Sequence, residues 1–153
     1  MPLNHPEITY QPLTQEGLKD AALIIGQAFA SGEPMASALG ISPVEIAGLI
    51  EQFGDRVFNL SFVAKFQEQT AAAILAADWC TPYTGAVNPK FEPILHLLSQ
   101  LGQLYGMEFV PQTALHIEIL AVAPQYQGQK IAQRLLSTCL DQAICQGYTT
   151  ALA

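Results

Sequence analysis

The sequence predicts a single α/β domain with the element order β-α-α-β-β-α-β-α-β, and three observations predict it. An apolar, β-branched run from Leu115 to Val122 stops at Pro124, and a glutamine- and glycine-rich turn then opens a helix. Ser42, Pro43 and Glu45 spell a helix start in the middle of the first half. Finally, no internal repeat, low-complexity tract or linker divides the 153 residues, and 50% hydrophobic content is enough for one sizeable core.

The elements follow in order. Glu7 to Leu13 reads as a first strand, and Thr14 stands where it can cap a helix whose Leu18, Ala22, Ile25 and Phe29 form one stripe. The second helix has Ser42 as cap, Pro43 at its first position and Glu45 closing a capping box, with Ile46, Leu49, Ile50 and Phe53 facing inward. Leu60 to Phe66 and Ala71 to Trp79 make a hairpin around Gln67 to Thr70. Pro93 begins a third helix, for which Ile94, Leu97, Leu98, Leu101 and Tyr105 are expected on a buried face. After the strand Leu115 to Val122, the positions Ile131, Leu135, Cys139 and Ala143 fall at helical spacing, and Gly147 stands at the C-terminal cap. Tyr148 to Ala153 begins a fifth strand.

Composition narrows the function. With 12% charged residues and a formal charge of −7, the chain lacks the basic surface that nucleic-acid binding needs, and its field favours a cationic amine over an acidic substrate. No apolar run is long enough to span a bilayer, and MPLNHPEITY has no signal-peptide pattern, so a cytoplasmic location is the default expectation. Cys80, Cys139 and Cys145 are odd in number and lack metal-ligand spacing, so neither a disulfide framework nor a metal site is expected. His5 and His96 stand isolated, which favours solvated roles.

The chemistry concentrates after Pro124. The first turn of a helix leaves N–H groups unpaired and carries the positive end of the dipole, so it favours an anion, and Gly128 lets the backbone approach one closely. A plain strand–loop–helix connection can have the same composition, and spacing alone leaves both readings open. Neither a GxxxxGK[ST] P-loop nor a G-x-G-x-x-G fingerprint is present.

This segment resembles motif A of the GNAT superfamily of acyl-CoA-dependent N-acyltransferases, V-x-P-x-x-[QR]-x-x-G-x-[GA]. Val122, Pro124, Gln127 and Ala132 meet it, and Lys130 stands in place of the central glycine. SGEPMASALG at Ser31 to Gly40, FEPILHLLSQLGQLY at Phe91 to Tyr105, and LHIEILAV at Leu115 to Val122 look like the arylalkylamine and dopamine N-acetyltransferase-like branch.

The resemblance implies a GNAT fold over residues 1–153, a mixed central sheet flanked by helices. It also implies acetyl-CoA as co-substrate with no metal. Leu120, Ala121 and Val122 would hold the pantetheine arm, and Gln127, Gly128, Gln129, Lys130, Ile131, Ala132 and Gln133 the phosphates. Lys130 costs room where glycine allows close approach, while its cation compensates beside phosphates. Arg134, one turn into the helix, faces either the outer phosphate or solvent.

For catalysis the resemblance points to Glu33 as general base, in GEPM; the competing reading is a helix-end glutamate before a proline. His116 and Glu118 form a second set, two apart on a strand and so on one face, able to relay a proton through water. One of them could instead merely satisfy buried backbone groups. Trp79, Tyr83 and Phe91 either shape an aromatic amine pocket or pack in the core.

Compared with the family pattern, the sequence stops just after the start of the fifth strand, short of a further helix and a strand pair. The expectation is therefore a shortened domain, or a homodimer in which a second chain shields this edge. Two functions are consistent with the sequence: transfer of an acetyl group to a small primary amine of arylalkylamine or polyamine type, or non-catalytic acyl-CoA binding or sensing.

Overall fold

A computed structural model describes residues 7–32, 34–81, 83, 85–104 and 110–153. Its sheet has five strands in the order β1-β2-β3-β4-β5, namely β1 (Ile8–Pro12), β2 (Phe62–Phe66), β3 (Gln69–Asp78), β4 (Ala114–Val122) and β5 (Thr150–Leu152). The first three pairings are antiparallel and β4 to β5 is parallel, which makes the sheet mixed.

Helices cover both faces. On one lie α1 (Gln15–Gly32), α3 (Pro43–Glu51) and the short α4 (Asp55–Phe58); on the other lies α6 (Ile131–Cys145). The alternation of β3 decides this division. Ala73, Leu75 and Ala77 pack towards α1 and α3, while Ala72, Ile74 and Ala76 pack towards α6, and all six are fully buried. Alanine at so many of these positions lets the helices approach closely. Gly26 of α1 serves the same end, since a side chain there would collide with the Pro43 carbonyl of α3.

Local signals set the helix ends. Thr14 Oγ1 accepts from Gly17 N–H at 3.3 Å to start α1. Ser42 and Glu45 form the reciprocal capping box of α3, with Ser42 N–H donating to Glu45 Oε2 at 2.9 Å and Glu45 N–H to Ser42 Oγ at 3.2 Å. α6 ends in a Schellman motif around Gly147, whose φ is +90°, with Tyr148 N–H reaching back to Ala143 O at 3.0 Å.

Two features depart from the sequence reading. The order gains two short helices, α2 (Pro34–Ala38) and α4, in segments too brief to show a helical period. The other is α5 (Glu92–Leu104), which buries none of its residues: Ile94 packs partly on the core, whereas Leu97, Leu98 and Leu101 are exposed. Its amphipathic pattern shows that a face could be buried but names no neighbour. Tyr105, expected on that face, lies outside the described residues. Among the described residues no helix is long and apolar enough to cross a membrane.

Candidate active site

On the β3 side β4 is paired from Leu115 opposite Asp78 to Val122 opposite Ala72, with one irregularity. On the other side β5 pairs only with Ala114, Leu115 and His116. From Ile117 to Val122, a span of roughly 17 Å at strand rise, that edge has no strand partner among the described residues.

The open edge runs into the cradle. Ala123 N–H donates to Ala71 O at 2.8 Å, Pro124–Tyr126 make one 3₁₀ turn, and the Gln127 side chain donates back to Val122 O at 3.3 Å. The backbone then turns left-handed at Gly128 (φ +78°) and again at Lys130 (φ +61°). The first bond of α6 runs from Arg134 N–H to Lys130 O, so the N–H groups of Ile131, Ala132 and Gln133 have no acceptor within the helix, and no side chain caps them. A Cβ added at Gly128 would meet nothing within 4 Å, so glycine is needed there for its conformation and the space beside it is open.

Strand edge and cradle line one cleft of about 710 Å³. β4 contributes Leu120, Ala121 and Val122, and the turn and helix contribute Gln127, Gly128, Lys130, Ile131, Ala132 and Gln133. Gln129 is the one cradle residue of the sequence reading that does not line it. Tyr126 and, from α1, Ala28, Phe29 and Gly32 complete the wall. Ala28 and Phe29 were not expected here, because the stripe that carries Phe29 reads as core, whereas Gly32 belongs to the Ser31–Gly40 stretch singled out above. Of the six lysines and arginines in the chain, Lys130 and Arg134 fall at this helix end, where they favour an anion despite the net charge of −7.

A second cluster lies further back along β4. The β3–β4 register slips so that Leu75 faces Ile119 and Ala76 faces Ile117, leaving Glu118 as the extra residue of a β-bulge. His116 Nδ1 lies 3.2 Å from Glu118 Oε1, and Arg56 Nη2 from α4 lies 2.5 Å from the same oxygen. That oxygen is buried and makes no well-aligned hydrogen bond, so the contacts are principally ionic. Burial works to raise the Glu118 pKa, but His116 and Arg56 outweigh it and the net shift is downward. Glu118 is therefore a held carboxylate and by itself a poor base. With Nδ1 turned to a carboxylate, the Nδ1–H tautomer of His116 is favoured and Nε2 carries the lone pair.

Of the aromatic residues, Trp79 sets its ring edge-on to His116 with centroids 5.3 Å apart. Tyr83 packs on Phe53 and donates to Gln52 Oε1 at 2.9 Å, and Phe91 is a core residue. Cys139 is core too, its thiol near Leu60 O and pushed up to about 11 by burial. Glu33 lies outside the described residues, between Gly32 on the cleft wall and Pro34 at the start of α2. Arg56 was missed from sequence, since an isolated arginine in a polar segment carries no motif. Among the described residues no group of three or more His, Cys, Asp or Glu could hold a metal ion.

A mixed sheet whose fourth strand leads into an amide cradle at a helix N-terminus is the arrangement of the GNAT fold. Comparison with known proteins agrees: residues 97–153 match the model of the acetyltransferase (GNAT) family. No curated protein matches the chain by sequence. Among solved structures, the C-terminal condensation domain of Ebony in complex with beta-alanyl-dopamine superposes with a TM-score of 0.79 at 16% identity, covering 92% of this chain and 71% of that one. Arylalkylamine N-acetyltransferase 2 from Aedes aegypti gives 0.72 at 19% identity, covering 94% and 75%. An apo agmatine N-acetyltransferase variant gives 0.66 at 20% identity, covering 92% and 72%. The chain thus resembles the GNAT superfamily, and within it the arylalkylamine N-acetyltransferases, in sequence motif and in fold.

Proposed function

We propose that the protein is an N-acetyltransferase that moves an acetyl group from acetyl-CoA to a small primary amine of arylalkylamine or polyamine type. The observation that carries this reading is the continuity of the C-terminal end of β4 with the uncapped N-terminus of α6 in one cleft. A diphosphate suits the amides of the first turn, and an arm with its own amides suits an unpaired strand edge. The acceptors after which the arylalkylamine and agmatine N-acetyltransferases of like fold are named support the acceptor class.

Bound acetyl-CoA would supply an activated thioester carbonyl. The amine must arrive neutral, so a base has to take one proton from the ammonium. His116 Nε2, with Glu118 stabilising the resulting imidazolium, is suited to this through water. Glu33 is the other base that the resemblance suggests. As the C–N bond forms and the C–S bond breaks, main-chain N–H groups of β4 would stabilise the charge on the acyl oxygen, and the proton that the newly acylated nitrogen releases would pass to the departing thiolate.

A non-catalytic, CoA-binding role is favoured by one observation, the left-handed lysine at the glycine position of the cradle. Calorimetry with acetyl-CoA tests the cradle common to both readings; no heat would refute it. Turnover of a panel of arylalkylamines and polyamines separates the two, and binding without turnover of any of them would leave the non-catalytic role.

A further inference from the structure

We infer that Arg56 is a positioning residue of this site: it clamps the Glu118 carboxylate and, as a fixed cation beside the His116–Glu118 pair, keeps the imidazole in its neutral, proton-accepting form. The catalytic consequence rests on the function proposed above, whereas the electrostatic arrangement stands without it.

Arg56 is held at three points. Nη2 reaches Glu118 at 2.5 Å, Nε donates to Thr81 O at 2.9 Å, and the guanidinium lies 5.8 Å from the centroid of the Phe53 ring. One side chain therefore ties α4, the segment after β3 and the β4 bulge together. Both partners are largely shielded, at 14% and 15% exposure, where water screens the pair little. A guanidinium cannot give up its proton, so this cation is permanent, unlike His116.

The surroundings contain no competing charge among the described residues. Glu118 faces His116 on its own strand and Arg56 from α4. The core on this face of the sheet is apolar, with Ile25, Ala28 and Phe29 from α1 and Leu75 and Ala77 from β3. Tyr83 is influenced by Arg56 but stays neutral, since burial raises its phenol. Asp78 is occupied elsewhere, accepting from Tyr148 Oη at 2.8 Å and from Cys80 N–H at 2.7 Å. A buried ion pair need not stabilise a fold, so stability alone does not account for this one.

The test is an NMR titration of the His116 ring, assigned among the three histidines with His116→Asn. In Arg56→Gln the carboxylate loses its permanent partner and attracts a proton to the pair. The His116 midpoint should then rise by about one pH unit, and the acid limb of kcat/KM should move up with it while KM for acetyl-CoA stays unchanged. Arg56→Lys, which keeps the charge but loses the fork, should raise the midpoint by only a few tenths of a unit. If Arg56→Gln does not fold, Arg56→Lys decides alone. A midpoint unchanged from wild type in the folded variant overturns the inference, because a merely structural residue would alter melting temperature and rate but not titration. An absence of wild-type turnover would count against the proposed function and leave the NMR result to decide the role of Arg56.

Discussion

Lys130 is a lysine in a backbone conformation that glycine prefers, at φ +61°, and it precedes the unpaired amides of the cradle. Lys130→Gly therefore separates two contributions. An L-residue in the left-handed region costs about 1–2 kcal/mol, and glycine returns part of the gain through its greater freedom when unfolded, so a net stabilisation of about 0.5–1 kcal/mol is expected. For 153 residues the unfolding entropy is about 0.32 kcal/mol/K, which makes this a rise of about 2–3 °C in melting temperature. Binding should move the other way. Removing one exposed cation beside a diphosphate loses about 0.3–1 kcal/mol at low ionic strength, a roughly two- to fivefold weaker Kd for acetyl-CoA that fades as salt rises. Gly128→Ala is the control, since its φ is +78° and no atom lies within 4 Å of the new Cβ. It should lower the melting temperature by about 3–6 °C through backbone cost alone. Calorimetry at low and high salt, with thermal melts of all three proteins, gives both readings. If Lys130→Gly melts below wild type, or its affinity deficit persists undiminished in high salt, Lys130 does not combine backbone strain with electrostatic attraction.

Gly128→Pro removes an amide donor and forbids the positive φ, so acetyl-CoA binding should disappear; unaltered affinity would refute the cradle. Glu33→Gln should lower turnover strongly near neutral pH and leave acetyl-CoA affinity nearly intact, and unchanged kinetics would exclude Glu33 as the base. Glu45 is held down to about 2, first by its hydrogen bond from Lys90 and then by Ser42 N–H. Because the folded pKa lies below the ordinary glutamate value of 4.5, its contribution is present above about pH 4.5 and is lost as pH falls towards 2. Urea melts of Glu45→Gln should therefore show a smaller acid loss over that interval, and identical acid profiles would contradict the assignment. Gly26→Ala should destabilise the fold by pushing α1 off the Pro43 carbonyl of α3, and an unchanged melting temperature would show that the helices yield freely.

What could be read from sequence followed the range of the interaction. Capping at Ser42, the tight turn at Gly128 and the helix end at Gly147 depend on neighbours a few residues away, and the amino-acid types there leave few alternatives. The bulge at Glu118 could not be read, because it is a property of register between two strands about 40 residues apart. Alternation along LHIEILAV placed His116 and Glu118 on one face but could not show that Ile119 shares that side with them. α5 failed for a related reason: its leucines mark a face without specifying what packs on it.

The bulge and the cradle are linked by geometry. Along Ile117 to Val122 the strand must keep its pairing with β3, or the alanine-rich layer between α1 and α6 would open. The strain of departing from a regular ladder is therefore confined to one residue, and that residue is the charged Glu118. The bulge thus sets Glu118 beside Arg56 and His116 without breaking the alanine-rich layer, while past it Leu120, Ala121 and Val122 run on into the cleft and the turn at Gly128. Proton handling and ligand binding therefore share one strand, the first at its bulge and the second at its C-terminal end.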